Sequence, residues 1–438
     1  MISYDLIELD YSDNLFLQYQ KFRYLPGFVL LESTDKTQGR YDILSAYPYK
    51  QLKADAENVA NFLQEFSTIL SRQDFNLDLP FQGGAIGYFS YDLGAKLHGL
   101  SFKSQPSLDH MPLAEFGFYD WAIISDHLKK KVFLFSANNQ SDTSQIVKEI
   151  RVLWDSENTT LFSAKLTHSF RALVHKDEYQ ASFDVVHQSL REGRAYQVNY
   201  TQSFNAAYKG DSFSFYQKVR EQNPVPFSAF LSNKSADILS FSPERFLLQD
   251  KAYLLSSPIK GTEKRSHNKI EDARLRQHLA NSEKNRAENI MIVDLIRNDL
   301  GKLAVPGSVR VNRLCVIESY QYVHHLVSHV EAQKRSNLSD LDIFLSCFPG
   351  GSITGAPKLE AMKIIAEVEN FARGVYCGAI GYFSNHGRFD SNIAIRTITA
   401  REGILHLAAG GGIVIDSTWE DEYMECFTKI TAIKNALE

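Results

Sequence analysis

An acid and an amine flank one short hairpin in the sequence and meet at its open end, the arrangement that acid-assisted nucleophilic chemistry needs. Phe246-Leu247-Leu248 and Tyr253-Leu254-Leu255 flank the turn Gln249-Asp250-Lys251 and read as two antiparallel strands. Folding about that turn brings Ser242-Pro243-Glu244-Arg245 to the same end as Pro258-Ile259-Lys260-Gly261-Thr262. Glu244 and Lys260 then meet beside Gly261, whose missing side chain lets a ligand approach the backbone. A salt bridge closing the end of a sheet has the same spacing, so the pair alone leaves both readings open.

A second set of residues suits a cation. The segment 283–299 reads as a helix, with Glu288 on one face with Met291, Ile292 and Leu295. A carboxylate on such a face is partly desolvated and wants a positive partner. Glu422 and Glu425 are three apart, hence on one helical face, and Lys429 follows four residues later. Carboxylates from two helices suit an octahedral Mg²⁺ that keeps several waters. A solvated Glu425–Lys429 bridge is the alternative.

Three further stretches could receive anions. Phe348-Pro349-Gly350-Gly351-Ser352-Ile353-Thr354-Gly355-Ala356-Pro357-Lys358 leads into an apolar helical stripe, and Pro357 suits its first position, so the loop's N–H groups would point at an anion. Pro rather than Gly precedes Lys358 and no Ser or Thr follows, which excludes a Walker A loop. Gly410-Gly411-Gly412 precedes the strand Ile413-Val414-Ile415 and could cradle a carboxylate, or form a turn. Arg396 is a lone cation in the apolar strand Ile393-Ala394-Ile395-Arg396-Thr397 and calls for an acidic or ligand partner.

The elements that must position these groups read as mixed. Strands are expected at 27–33 and 84–91, and Val59, Phe62, Phe66 and Ile69 recur at helical spacing between them. Tyr179, Phe183, Val186 and Leu190 form another helical stripe, stopped at Gly193. Tyr196-Gln197-Val198-Asn199-Tyr200-Thr201 alternates strictly, with Gln197, Asn199 and Thr201 on one face. Short alternating strands without a βαβ rhythm point to α+β with antiparallel sheets. The hexapeptide Ala-Ile-Gly-Tyr-Phe-Ser occurs at 85–90 and again at 379–384, from a duplication or from two similar core strands. Segments 136–140 and 155–160 are the least patterned.

Composition limits the partners. At about 150 residues per domain, 438 residues correspond to roughly two to three domains, yet no Pro/Gly/Ser-rich linker divides the chain. Forty-seven Lys+Arg against 52 Asp+Glu leave −5, so no nucleic-acid footprint is expected. No apolar window is long enough for a membrane span, and the acidic start lacks a signal-peptide pattern. The 4 cysteines form no CxxC pair and read as buried free thiols, consistent with a reducing cytoplasm.

Together the motifs resemble the chorismate-utilising enzymes, the family of anthranilate synthase component I, isochorismate synthase and salicylate synthase. The resemblance covers nearly the whole chain and is densest from Tyr179 to Lys429. It is carried by SPERF, PIKGT, RAEN…VDLIRND, the HLVS at 325–328, GSITGAPK, AIRT, the triple glycine and EYMECFTK. It implies two interlocked lobes built on antiparallel β-sheets packed as a sandwich with flanking helices, with an N-terminal lobe at 1–165 and a catalytic lobe at 166–438.

The resemblance also implies the chemistry. Family members that add water carry a lysine where this chain has Gln197, and those that form anthranilate carry PIAGT where it has PIKGT. The implied reaction is therefore an amination of chorismate, with Lys260 as covalent nucleophile and Glu244 as general acid. Mg²⁺ would be held by Glu288 and Glu425 with Glu422 in support. Substrate would meet Gln197, Gly261, Thr262, His325, Tyr382, Arg396 and the Gly410, Gly411 and Gly412 amides. No Gly-x-Cys-x-Gly elbow is present, so a glutaminase subunit is the implied source of ammonia. Ser33, Arg40, Tyr41, Pro226, Phe227 and Ser228 match a family pocket for L-tryptophan, or form an ordinary strand and turn. Anthranilate synthesis, and a non-catalytic tryptophan-binding scaffold, are the alternatives.

Overall fold

The computed structural model describes residues 4–37, 39–70, 72–101, 103–157 and 162–438, so positions 158–160 of the weakly patterned stretch lie outside it. Among the described residues twenty-two strands form two sheets in which every pairing is antiparallel. The first sheet runs from Asp5–Leu9 at one edge to Gly355–Ala356 at the other, and the second from Ile259–Lys264 to Lys50–Ala54. They pack face to face over Ile43, Phe81, Tyr88, Ile124, Ile238 and Ile380. Helices cover both outer faces. Phe183, Ile364, Cys426 and Ile430 seal the first sheet, and Phe66, Val293, Phe344 and Met362 the second. The class is α+β, as expected.

Both sheets draw strands from either side of residue 165. In the first, Val29–Glu32 pairs with Phe227–Ser232. In the second, Gly84–Phe89 pairs with Ala379–Ser384, and those are the two copies of the repeated hexapeptide. They lie antiparallel about one centre, with Ala85 opposite Phe383, Gly87 opposite Gly381 and Phe89 opposite Ala379. Outward from this pair the order is also matched: Ala114–Tyr119 then Lys50–Ala54 on one side, Phe389–Ile393 then Arg245–Asp250 on the other. A duplicated unit folded against its copy would have this arrangement, and two similar core strands paired antiparallel would share its register.

The expected helices occur at Val59–Ile69, Lys176–Arg191 and Glu283–Gly301. The last is capped by Ser282, whose hydroxyl accepts from the Asn285 N–H. One helix, Thr143–Asp155, lies between the two least patterned segments; it buries Val147, Ile150 and Trp154 on one stripe. Among the described residues no helix is long and apolar enough to cross a membrane.

A fully buried ion pair anchors the strand that carries Gln197. Arg373 and Glu369 meet at 2.7 Å with no exposure on either side chain. Glu369 accepts from the Thr201 N–H and hydroxyl, and Arg373 donates to the carbonyls of Asn199 and Ile353. Strand Gln197–Gly210 and the loop through Ser352 are therefore fastened to one point. Removing one partner of such a pair typically costs about 3–5 kcal/mol, because the other charge stays buried and alone.

Candidate active site

The hairpin forms as its pattern requires, with Arg245 opposite Ser257 and Asp250 opposite Tyr253. Glu244 thereby sits at its open end, and the Ile259 N–H approaches its Oε1 at 3.4 Å. Lys260 follows at an irregularity. Ile259 pairs with Val327 and Thr262 with His325, so the Lys260–Gly261 stretch is a bulge that turns the lysine out of the ladder. Gly261 has φ +89°, and a Cβ there would lie 2.8 Å from Asn285 Cγ. The glycine serves this bulge and the helix packed on it.

The two groups are tuned in opposite directions. Glu244 is 4% exposed, and burial pushes its carboxyl up to about 7, offset by nearby Ser352 and the charges of Lys260 and Lys429. Burial pulls the Lys260 amine down, while Glu288, Glu244 and Glu425 push back and Lys429 assists. That set of neighbours shows that the hairpin, the long helix and the C-terminal helix converge on Lys260. His325 is held neutral, its pKa lowered to about 3 by burial and then by Arg396. Its Nδ1 lies 2.8 Å from Thr262 Oγ1.

The C-terminal helix, Trp419–Leu437, presents Glu422 and Glu425 beside Gly411. Glu422 is 4% exposed; its Oε1 accepts from the Ser417 hydroxyl at 2.7 Å, and its Oε2 is buried without a hydrogen bond. Burial first, and Glu425 among the charges around it, push it up to about 7. Lys429 bonds Glu425 Oε1 at 2.5 Å and the Gly410 carbonyl at 2.7 Å. The solvated bridge read as the alternative therefore forms, with both side chains close to half exposed, at the edge of the site. Lys429 was legible as a site residue: it is four residues from Glu425 and seven from Glu422, on one face. Among the described residues no three His, Cys, Asp or Glu side chains are already gathered round one point. A buried carboxylate oxygen with no donor, next to a second carboxylate, still fits a hard divalent cation.

The triple glycine corrects its sequence reading. It lies inside the strand Ile404–Ile413 rather than before one. Thr397–Arg401 covers only residues 404–407 of that strand, so alternate amides beyond Leu407 remain outside any ladder on that edge. A Cβ at Gly411 would sit 2.3 Å from Glu422 Oε2, and one at Gly412 would sit 1.8 Å from Gln197 Nε2. These glycines make room for two site side chains. Gln197 is fully buried with both amide atoms unpartnered, as a group awaiting a ligand would be.

Arg396 also differs from expectation. It stands at the corner between Phe389–Ile393 and Thr397–Arg401, with φ +52°, not within a strand. It is half-buried, and no acidic group offsets the burial that pulls its pKa down. The expected anion must come from outside. Lys358 is different: it bonds Asp299 at 2.6 Å and the Cys347 carbonyl at 2.7 Å, so its side chain clamps the glycine-rich loop onto the long helix.

Tyr382 turns away from this group into a cavity between the sheets, where its hydroxyl accepts from Arg388 at 3.1 Å. The inter-sheet cavity has a volume of about 400 Å³. Ser33, Arg40, Tyr41, Pro226, Phe227 and Ser228 all line it.

The chain matches the description of a chorismate binding enzyme over residues 26–435, and it belongs to that family. Aminodeoxychorismate synthase component 1 of Escherichia coli (strain K12) is 41% identical over 438 residues, covering 96% of this chain and 95% of that protein. The protein of the same name from Salmonella typhimurium (strain LT2) is 40% identical over 433 residues, covering 95% and 94%. Anthranilate synthase component I from Streptococcus pneumoniae TIGR4 has the same fold, with a TM-score of 0.79 at 27% identity over 91% of this chain and 92% of that one.

Proposed function

We propose that this chain is an aminodeoxychorismate synthase component I, replacing the C4 hydroxyl of chorismate by an amino group to give 4-amino-4-deoxychorismate. The observation that carries the reading is the oppositely tuned pair, a lysine driven toward its neutral amine beside a carboxyl driven toward its acid. The Lys260 amine attacks C2 as the ring double bond shifts and the C4–O bond breaks. Glu244 protonates the departing hydroxyl, which leaves as water. Ammonia then bonds to C4, the double bond returns and Lys260 is expelled. The unpartnered Gln197 amide offers ammonia a hydrogen-bond acceptor, and Arg396 offers a substrate carboxylate a full positive charge. His325, held neutral, donates or accepts without adding a cation.

Glu288, Glu422 and Glu425 would hold Mg²⁺, which when bound supplies charge for the ring carboxylate. Ammonia would come from a glutaminase subunit, as the word component in the relatives' names suggests. Three of the chain's own thiols, those of Cys347, Cys377 and Cys426, are pushed up to about 12 by burial, unlike a glutaminase nucleophile. Four buried free thiols suit the cytoplasm.

Incubation with chorismate, Mg²⁺ and ammonium chloride, with products separated by chromatography, tests the proposal. Aminodeoxychorismate without pyruvate is expected. Anthranilate with pyruvate would assign the chain to the other branch of the family, and no turnover would favour the scaffold reading.

The inter-sheet cavity is proposed to take L-tryptophan. It is walled by the six residues carried over for that ligand, and its size suits one indole side chain. Calorimetric titration should give 1:1 binding; no heat with any of the common amino acids would withdraw this assignment.

A further inference from the structure

A second, much smaller cavity abuts Glu244. Its volume is about 20 Å³, room for one water molecule. Lys260, His325 and Arg396 have no part in its wall, whose polar side chains include Glu244, Ser256, Asp299 and Ser352. Two of these are committed elsewhere. The Ser256 hydroxyl donates to the Phe246 carbonyl at 2.8 Å, and Asp299 holds Lys358 at 2.6 Å. Ser352 is 8% exposed, and its hydroxyl is buried with no hydrogen-bond partner. It is near enough to favour the ionised form of Glu244, yet it meets neither carboxyl oxygen in hydrogen-bonding geometry. A buried hydroxyl and a buried carboxyl that line one water-sized space are what an ordered bridging water requires.

We propose that this cavity binds one ordered water joining the Ser352 hydroxyl to the Glu244 carboxyl, which makes Ser352 a positioning residue for the general acid. The inference rests on the reading of Glu244 as that acid. The water, oriented by the hydroxyl, donates to the carboxyl oxygen facing the cavity, so the acidic proton resides on the oxygen facing substrate. When that O–H bond breaks and the proton leaves with the C4 hydroxyl, the same water holds the new carboxylate. Glu244 regains its proton from the ammonia nitrogen after it bonds to C4, and the bridging water is not consumed. The other charged and titratable groups around Glu244 are Lys260 from the adjacent strand, Lys429 from the C-terminal helix, Arg245, and, across the cavity, Asp299 and Cys347. All stay in place when Ser352 is changed.

Ser352→Ala removes the hydroxyl, and Ser352→Val also fills the space. A high-resolution crystal structure of the wild type is expected to show one water within hydrogen-bond distance of both groups, absent in Ser352→Val. Turnover of chorismate at fixed free ammonia should fall about tenfold in both variants, with KM for chorismate unchanged. Loss of donors to the carboxylate raises the acid's pKa, so the alkaline limb of the kcat profile should move up by about one pH unit. A wild-type crystal without that water, or variants whose alkaline limb stays at the wild-type pH, would overturn the proposal. Full activity in Glu244→Gln would instead remove the reading of Glu244 on which it rests.

Discussion

Lys260→Ala is expected to lower aminodeoxychorismate formation by about 10⁴-fold or more, the scale seen when a covalent nucleophile is removed from a site that acts as a unit. A lysine with an ordinary pKa near 10.4 is almost wholly protonated at pH 7, and making the free amine costs about 4–5 kcal/mol. The fold meets much of that cost beforehand. The bulge at Lys260–Gly261 turns the side chain into a space where burial disfavours the ammonium and Lys429 adds a like charge. Lys260→Arg should be equally inactive, since a guanidinium stays charged. Neither change should lower stability greatly, because a half-buried cation that the fold disfavours contributes little. Intact-mass analysis of wild type quenched with chorismate in the absence of ammonia should reveal an adduct that Lys260→Ala lacks. Retained turnover in Lys260→Ala, with no adduct in wild type, would end the nucleophile assignment.

Why Lys260, Glu244 and the helical carboxylates were legible in the sequence, and other residues were not, has a physical reason. A hairpin and an i,i+3 pair are local: turn chemistry and helical period place Glu244 near Lys260 and Glu422 near Glu425 without knowledge of the rest of the chain. Arg396 was expected in a strand because its neighbours are apolar. Its positive φ depends on two strands entering different sheets, which only long-range pairing decides. The triple glycine was expected as a loop because glycine is poor in strands. The missing side chains instead admit Gln197 and Glu422 from neighbouring elements. Tyr382 was assigned to substrate by motif, but a one-residue change in strand position reverses the face, and its face is the inter-sheet cavity. The family resemblance supplied the sandwich; local periodicity alone stops at α+β.

Mg²⁺ should stabilise the folded protein and be required for turnover. The argument begins with Glu422 Oε2, an oxygen buried without a donor beside Glu425. Such an oxygen is completed either by a proton, toward which burial already drives Glu422, or by a cation in the working enzyme. Lys429 serves Glu425 in part, but it also holds the Gly410 carbonyl and leaves Oε2 unmet. Free Mg²⁺ at about 100 times its Kd should therefore add about 2.7 kcal/mol to the unfolding free energy. Glu422→Gln and Glu288→Gln should each reduce that gain, and a chelator should lower wild-type turnover by about 100-fold or more. If the ion also binds the substrate's ring carboxylate, chorismate and Mg²⁺ must tighten each other's binding by one common factor, because the coupling free energy is reciprocal. Titrating each ligand with and without the other measures that factor twice. A common factor above one shows that ion and substrate are coupled, and a factor of one would show that neither senses the other. A Tm unmoved by Mg²⁺ in both the free and the chorismate-bound protein would remove the ion from the reaction and leave Lys429 and Arg396 as the cations available to the substrate's two carboxylates.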